Sequence, residues 1–85
     1  MLLKNNIAEV FHVFVESPEK EFHLRELSRK TKLSTTAVSN ALDILQKKHI
    51  ITKREMGIYD FFRANMKEKN FIELRKALEI IERIG

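Results

Sequence analysis

Apolar residues recur along this chain with two different periods. Ile7, Val10, Phe11 and Phe14 fall at i, i+3, i+4 and i+7, which predicts an amphipathic helix from about Asn5 to Glu16. Ser17-Pro18 ends it, because proline disfavours helical backbone in the residue before it. Glu21-Phe22-His23 has room for only a very short strand. A second helix is predicted from Leu24 to about Thr31, with Leu24 and Leu27 inward, His23 as its cap, and Lys32-Leu33 as a tight connection. Ser34 then suits an N-cap, since its hydroxyl can accept from an otherwise unpaired amide. The third helix spans about 34–48.

The period then switches to two. Residues 50–54 and 58–62 are rich in β-branched and aromatic types, with Met56-Gly57 between them as the turn. They predict a small hairpin over about 50–63, with Lys53 and Arg54 near its tip. Phe61 and Phe62 alternate faces, one for the core and one to lie under the final helix. That helix spans about 70–84 and carries two apolar stripes. Phe71, Leu74, Leu78 and Ile81 form one; Ala77, Ile80 and Ile84 form a second, for which so small a fold offers no internal partner. The order of elements predicts an α+β, mostly helical fold: a winged helix-turn-helix with a three-helix core, a β-hairpin wing and a long C-terminal helix. Residues 1–85 are expected to form a single domain.

The third helix sorts its residues by chemistry. At ~100° per residue, Val38, Ala41, Leu42, Ile44 and Leu45, with Ala37, fall on one side, and Thr35, Thr36, Ser39, Asn40, Asp43 and Lys47 on the other. A solvated helix usually displays Glu, Lys and Gln, whereas Thr, Ser and Asn are weak helix formers. Retaining them where packing does not require them fits a face that meets a DNA major groove.

Composition narrows the classes. The chain is 44% hydrophobic and 33% charged, with a net charge of +4 and no cysteine. Disulfides and thiolate metal sites are therefore excluded, and the reducing cytoplasm is the expected compartment. Met1-Leu2-Leu3 is too short a run for a signal sequence or a membrane span. The positive charge is concentrated. Arg25, Arg29, Lys30, Lys32, Lys47, Lys48, Lys53 and Arg54 face only Glu26 and Asp43 within residues 25–54. Such a segment favours a polyanion, with Arg25, Arg29, Lys30, Lys32 and Lys47 as phosphate contacts.

The stretch FHLRELSRKTKLSTTAVSNALDILQKKHIITKRE resembles the winged helix-turn-helix of MarR- and ArsR-like transcriptional regulators. The tail FFRANMKEKNFIELRKAL is similar to the segment after the wing in archaeal and bacterial helix-turn-helix proteins that often precede a nucleotidyltransferase domain. The resemblance implies groove contacts at Thr35, Thr36, Ser39 and Asn40 and wing contacts at Lys53 and Arg54. Position 40, commonly Arg in such regulators, is Asn here, which pairs with adenine rather than guanine. Glu55 and Asp60 in the short wing argue against deep minor-groove insertion.

Other chemistry is poorly represented. His12, His23 and His49 lie on three separate elements without metal-ligand spacing, and no phosphate loop or nucleophile elbow occurs. The expectation is a non-enzymatic, cofactor-free regulator of double-stranded DNA, acting as a homodimer through Leu74, Ala77, Ile80, Ile81 and Ile84, with residues 1–14 adding to that interface. No membrane contact and no small-molecule effector is expected. The alternatives are a protein-interaction or tethering module, on its own or at the front of a longer protein, and an RNA-binding winged helix.

Overall fold

The computed structural model describes the backbone of residues 5–84 and the side chains of residues 5–80. Helix α1 (Asn6–Glu16) starts at Asn5, whose side chain accepts from the Ala8 amide at 2.8 Å. It stops at Ser17, as the proline predicts. Val10, Phe11 and Phe14 on its inner stripe are at most 1% exposed. Helices α2 (Leu24–Thr31) and α3 (Thr35–Lys47) pack with α1 to form the helical core. Strands β1 (Ile51–Met56) and β2 (Tyr59–Ala64) form an antiparallel hairpin, and α4 (Lys69–Ile84) closes the order.

Phe22 adds a one-residue third strand beside the hairpin. Its backbone exchanges two hydrogen bonds with Phe62, at 2.7 and 2.8 Å, so the predicted short strand is a single bridge on the outer edge of β2. The Phe22 ring meets Phe14 edge-on at 5.5 Å, and Phe71 of α4 meets Phe11 edge-on at 5.2 Å. Edge-to-face rings of this kind add to the burial of their area. Two aromatic pairs thus join the hairpin and α4 to α1.

The hairpin turn lies one residue later than predicted. Met56 pairs with Tyr59, so the loop is Gly57-Ile58 rather than Met56-Gly57. Gly57 takes φ +63° at the first loop position, where a tight two-residue turn calls for glycine. Ile50 precedes the ladder, because its amide caps α3 by donating to Leu45 O. Lys53 and Arg54 consequently lie mid-strand, opposite Phe62 and Phe61, and the tip is made of Met56, Gly57, Ile58 and Tyr59.

Alternation along the strands then separates the two phenylalanines. Phe62 joins Ile51 and Ala64 in the core. Phe61 is on the opposite face and does not pack beneath α4. Its ring lies edge-on to His23, with the Arg54 guanidinium 5.5 Å from its centre.

Candidate nucleic-acid interface

The angle between α2 and α3 is held by side chains acting on a three-residue corner, Lys32 to Ser34. His23 caps α2, its Nδ1 accepting from the Glu26 amide at 3.3 Å. The helix ends on Lys32, which takes left-handed backbone (φ 62°) and donates its amide to Ser28 O at 2.8 Å. Thr31 Oγ1 donates to Leu27 O and accepts from the Leu33 amide, while Ser28 Oγ donates to Leu33 O. Both backbone groups of Leu33 are therefore occupied, and its side chain packs on the core. Ser34 Oγ then accepts from the Ala37 amide at 3.1 Å and starts α3 in a fixed direction.

The far end of α3 is equally constrained. His49 adopts φ 61°, its amide donates to Gln46 O, and the Ile50 amide donates to Leu45 O. This is a Schellman ending with histidine where glycine is usual. Asn65 Nδ2 donates to His49 O and Asn70 Nδ2 to Lys48 O, both at 3.0 Å. The β2–α4 connection and the start of α4 thus grip the end of α3, a contact that no sequence pattern announces.

Between these ends α3 shows two faces. Val38, Ala41, Leu42 and Leu45 are at most 2% exposed. Thr35, Thr36, Asn40, Asp43 and Lys47 are exposed, and Ser39 is half-buried. The predicted division fails at one residue: Ile44 is 43% exposed rather than in the core. At ~100° per residue it falls about 60° beyond Ala41, the edge of the buried arc. Ser39, Asp43 and Gln46 form one wall of an open groove of about 840 Å³, with Lys53, Tyr59 and Phe61 on the hairpin side and Arg25 also lining it.

The cations divide into engaged and available. Arg54 donates through Nε and Nη2 to both carboxylate oxygens of Glu21. That hydrogen bond, opposed by slight desolvation and aided by the Arg54 charge, holds Glu21 below the usual glutamate range and raises Arg54. Lys20 pairs with Glu26 at 3.0 Å. Burial pushes Glu26 up, but its hydrogen bond to Lys20 and that cation's charge leave it below the usual range. Lys20 and Lys30 also lie over the Phe22 ring. Arg25, Arg29, Lys32, Lys47 and Lys53 are exposed and form no ion pair among the described residues.

The solved structures similar to this chain have the same architecture. A protein named as a possible transcriptional regulator from Methanosarcina mazei Go1 superposes with a TM-score of 0.71 at 18% identity, over 96% of this chain and 69% of that one. Reduced HlyU from Vibrio cholerae N16961 superposes with a TM-score of 0.63 at 22% identity, over 88% of this chain and 77% of that one. This is a winged helix-turn-helix. No protein-family model and no curated protein sequence matches the chain.

Within the winged helix, α3 is the second helix of the helix-turn-helix and the β1–β2 hairpin is the wing. The expected dimer residues are placed unevenly. Leu74 packs partly on the core, while Ala77 and Ile80 are exposed, Ile80 at 55%. The side chains of Ile81 and Ile84 lie outside the described residues, as do residues 1–4. The inner stripe of α1, considered for the same interface, is taken up by the chain's own core. Among the described residues no group of three potential metal ligands occurs, and no helix is long and apolar enough to cross a membrane.

Proposed function

We propose that this chain is a cytoplasmic transcriptional regulator that binds double-stranded DNA, laying α3 in the major groove to read sequence. In this reading residues 1–85 act as one DNA-binding domain without catalysis or cofactor. The observation that carries it is the outward row of Thr35, Thr36, Asn40, Asp43 and Lys47 on a helix whose back is fully buried. Rigid presentation of short hydrogen-bonding side chains is what base-edge readout needs. The name of the Methanosarcina mazei structure supports the same reading.

Roles follow from position. Asn40 pairs with an adenine edge and Asp43 accepts from a cytosine amine, while Thr35, Thr36 and Ser39 reach bases or phosphates beside them. Arg25, Arg29, Lys32 and Lys47 neutralise phosphates, joined by Lys53 from the wing. Arg54 joins them only when Glu21 releases it. A homodimer through Ala77 and Ile80, continued by Ile81 and Ile84 and edged by Leu74, would place two recognition helices about 34–36 Å apart in successive major grooves.

Selection from a randomised duplex library at physiological salt tests this directly. An enriched inverted repeat is the expected result. A single enriched half-site would remove the dimer, and no enrichment would remove sequence-specific binding.

A competing reading, a protein-docking winged helix, draws on the wing tip. There Ile58 is 91% exposed, next to Tyr59 at 60% and Met56 at 53%. It predicts that no duplex is shifted at any salt.

A further inference from the structure

Ile44 is the one large apolar side chain of α3 that the core does not take up, at 43% exposed. A lone exposed isoleucine elsewhere would need no explanation. This one lies one helical turn after Asn40, and residues at i and i+4 present neighbouring side chains with Cβ atoms about 5–6 Å apart. That distance covers between one and two base steps, at about 3.4 Å per step along a strand. On the outer side of α3, Thr36, Asn40, Asp43 and Lys47 are all polar. Ile44 borders this row on the Asn40 side, with nothing to offer a phosphate.

The major groove contains one apolar group on its base edges, the C5-methyl of thymine. We infer that Ile44 is a specificity-determining residue that packs on a thymine methyl one or two steps from the adenine read by Asn40. This rests on the placement of α3 in the major groove proposed above. The contact would add a preference for thymine that polar side chains on the same face cannot supply.

Replacing single thymines by deoxyuridine in the selected duplex removes the C5-methyl and leaves the pairing edge intact. One such replacement, one or two steps from the position that Asn40→Ala makes indifferent, should weaken the wild-type chain about fourfold. That is the effect of burying a single methyl group. Ile44→Ala should bind the thymine duplex about fourfold more weakly and bind thymine and uracil duplexes equally. Ile44→Gln, which keeps the length of the side chain, should be equally indifferent, and far-ultraviolet circular dichroism would show both variants folded.

Wild-type binding that ignores every uracil replacement overturns the contact, and so does uracil sensitivity that persists in both variants. No enriched duplex at all overturns the groove reading of α3 and this contact with it. An enriched duplex that is blind to the methyl overturns only the contact.

Discussion

Arg54 reaches from β1 across the Phe61 ring to Glu21, donating through Nε and Nη2 to the two carboxylate oxygens at 2.8 Å each. The fork geometry and the aromatic face beneath it fix a guanidinium that would otherwise be free on the wing. Glu21→Ala should release it. If Arg54 then meets a phosphate, the slope of log affinity against log salt should steepen by about one. Fluorescence anisotropy on the selected duplex measures this, and an unchanged slope would show that Arg54 does not reach DNA.

The same pair sets an acid sensitivity. Glu21 is held below its ordinary value of 4.5 mainly by the Arg54 hydrogen bond. A carboxylate depressed in the folded state stabilises the fold above its unfolded pKa, and that contribution disappears as pH falls through the folded value. The wild-type chain should therefore lose stability below pH 4.5 more steeply than Glu21→Gln. Urea midpoints across that range test the sign. Equal slopes would mean that the pair contributes nothing measurable.

Asn40 and Lys47 share the exposed face of α3 but should fail differently. Asn40→Ala removes a base-edge contact, so discrimination at one base pair should fall by about 1–3 kcal/mol. Lys47→Ala should weaken all duplexes alike and flatten the salt slope by about one. Competition titrations with single-base variants of the selected site separate the two. Uniform weakening by Asn40→Ala would remove its reading role.

His49 occupies left-handed backbone at φ 61° with an exposed side chain. His49→Gly relieves the Cβ clash while leaving the carbonyl that Asn65 meets. It should stabilise the fold by about 0.5–1 kcal/mol, read as a rise of several degrees in Tm. A lower Tm would show that the imidazole has an interaction worth more than the strain.

Phe71 is 1% exposed and meets Phe11 edge-on at 5.2 Å. Phe71→Ala should cost about 3–5 kcal/mol, the range for deleting a buried aromatic ring. In a small domain this is a large share of total stability, so the urea midpoint should fall sharply. A loss under about 1 kcal/mol would mean that α4 rests on the core without depending on this ring.

The helices were legible because their rules are local. The stripe from Ile7 to Phe14, the proline at 18 and the Ser34 hydroxyl act over three or four residues, and each lies where its pattern places it. The polar side of α3 was legible for the same reason, since Val38, Ala41, Leu42 and Leu45 mark its buried arc. Ile44 escaped because apolar character alone does not say where that arc ends. The turn moved by one residue because either side of Gly57 could complete it, and only the pairing of Met56 with Tyr59 chooses.

What the residues alone determined, then, is a set of amphipathic elements in winged-helix order and a polar face of Thr, Ser and Asn on α3. Periodicity and capping suffice for that, because they depend on neighbours along the chain. The tertiary structure decided which cations remain available. Glu21 and Arg54 are 33 residues apart and meet only because Phe22 pairs with β2, bringing the 21–23 segment within reach of β1. It also decided that α3 is fastened by Asn65 and Asn70, and that Ile44 faces outward. Such contacts arise from the packing of distant elements, and no short-range pattern encodes them.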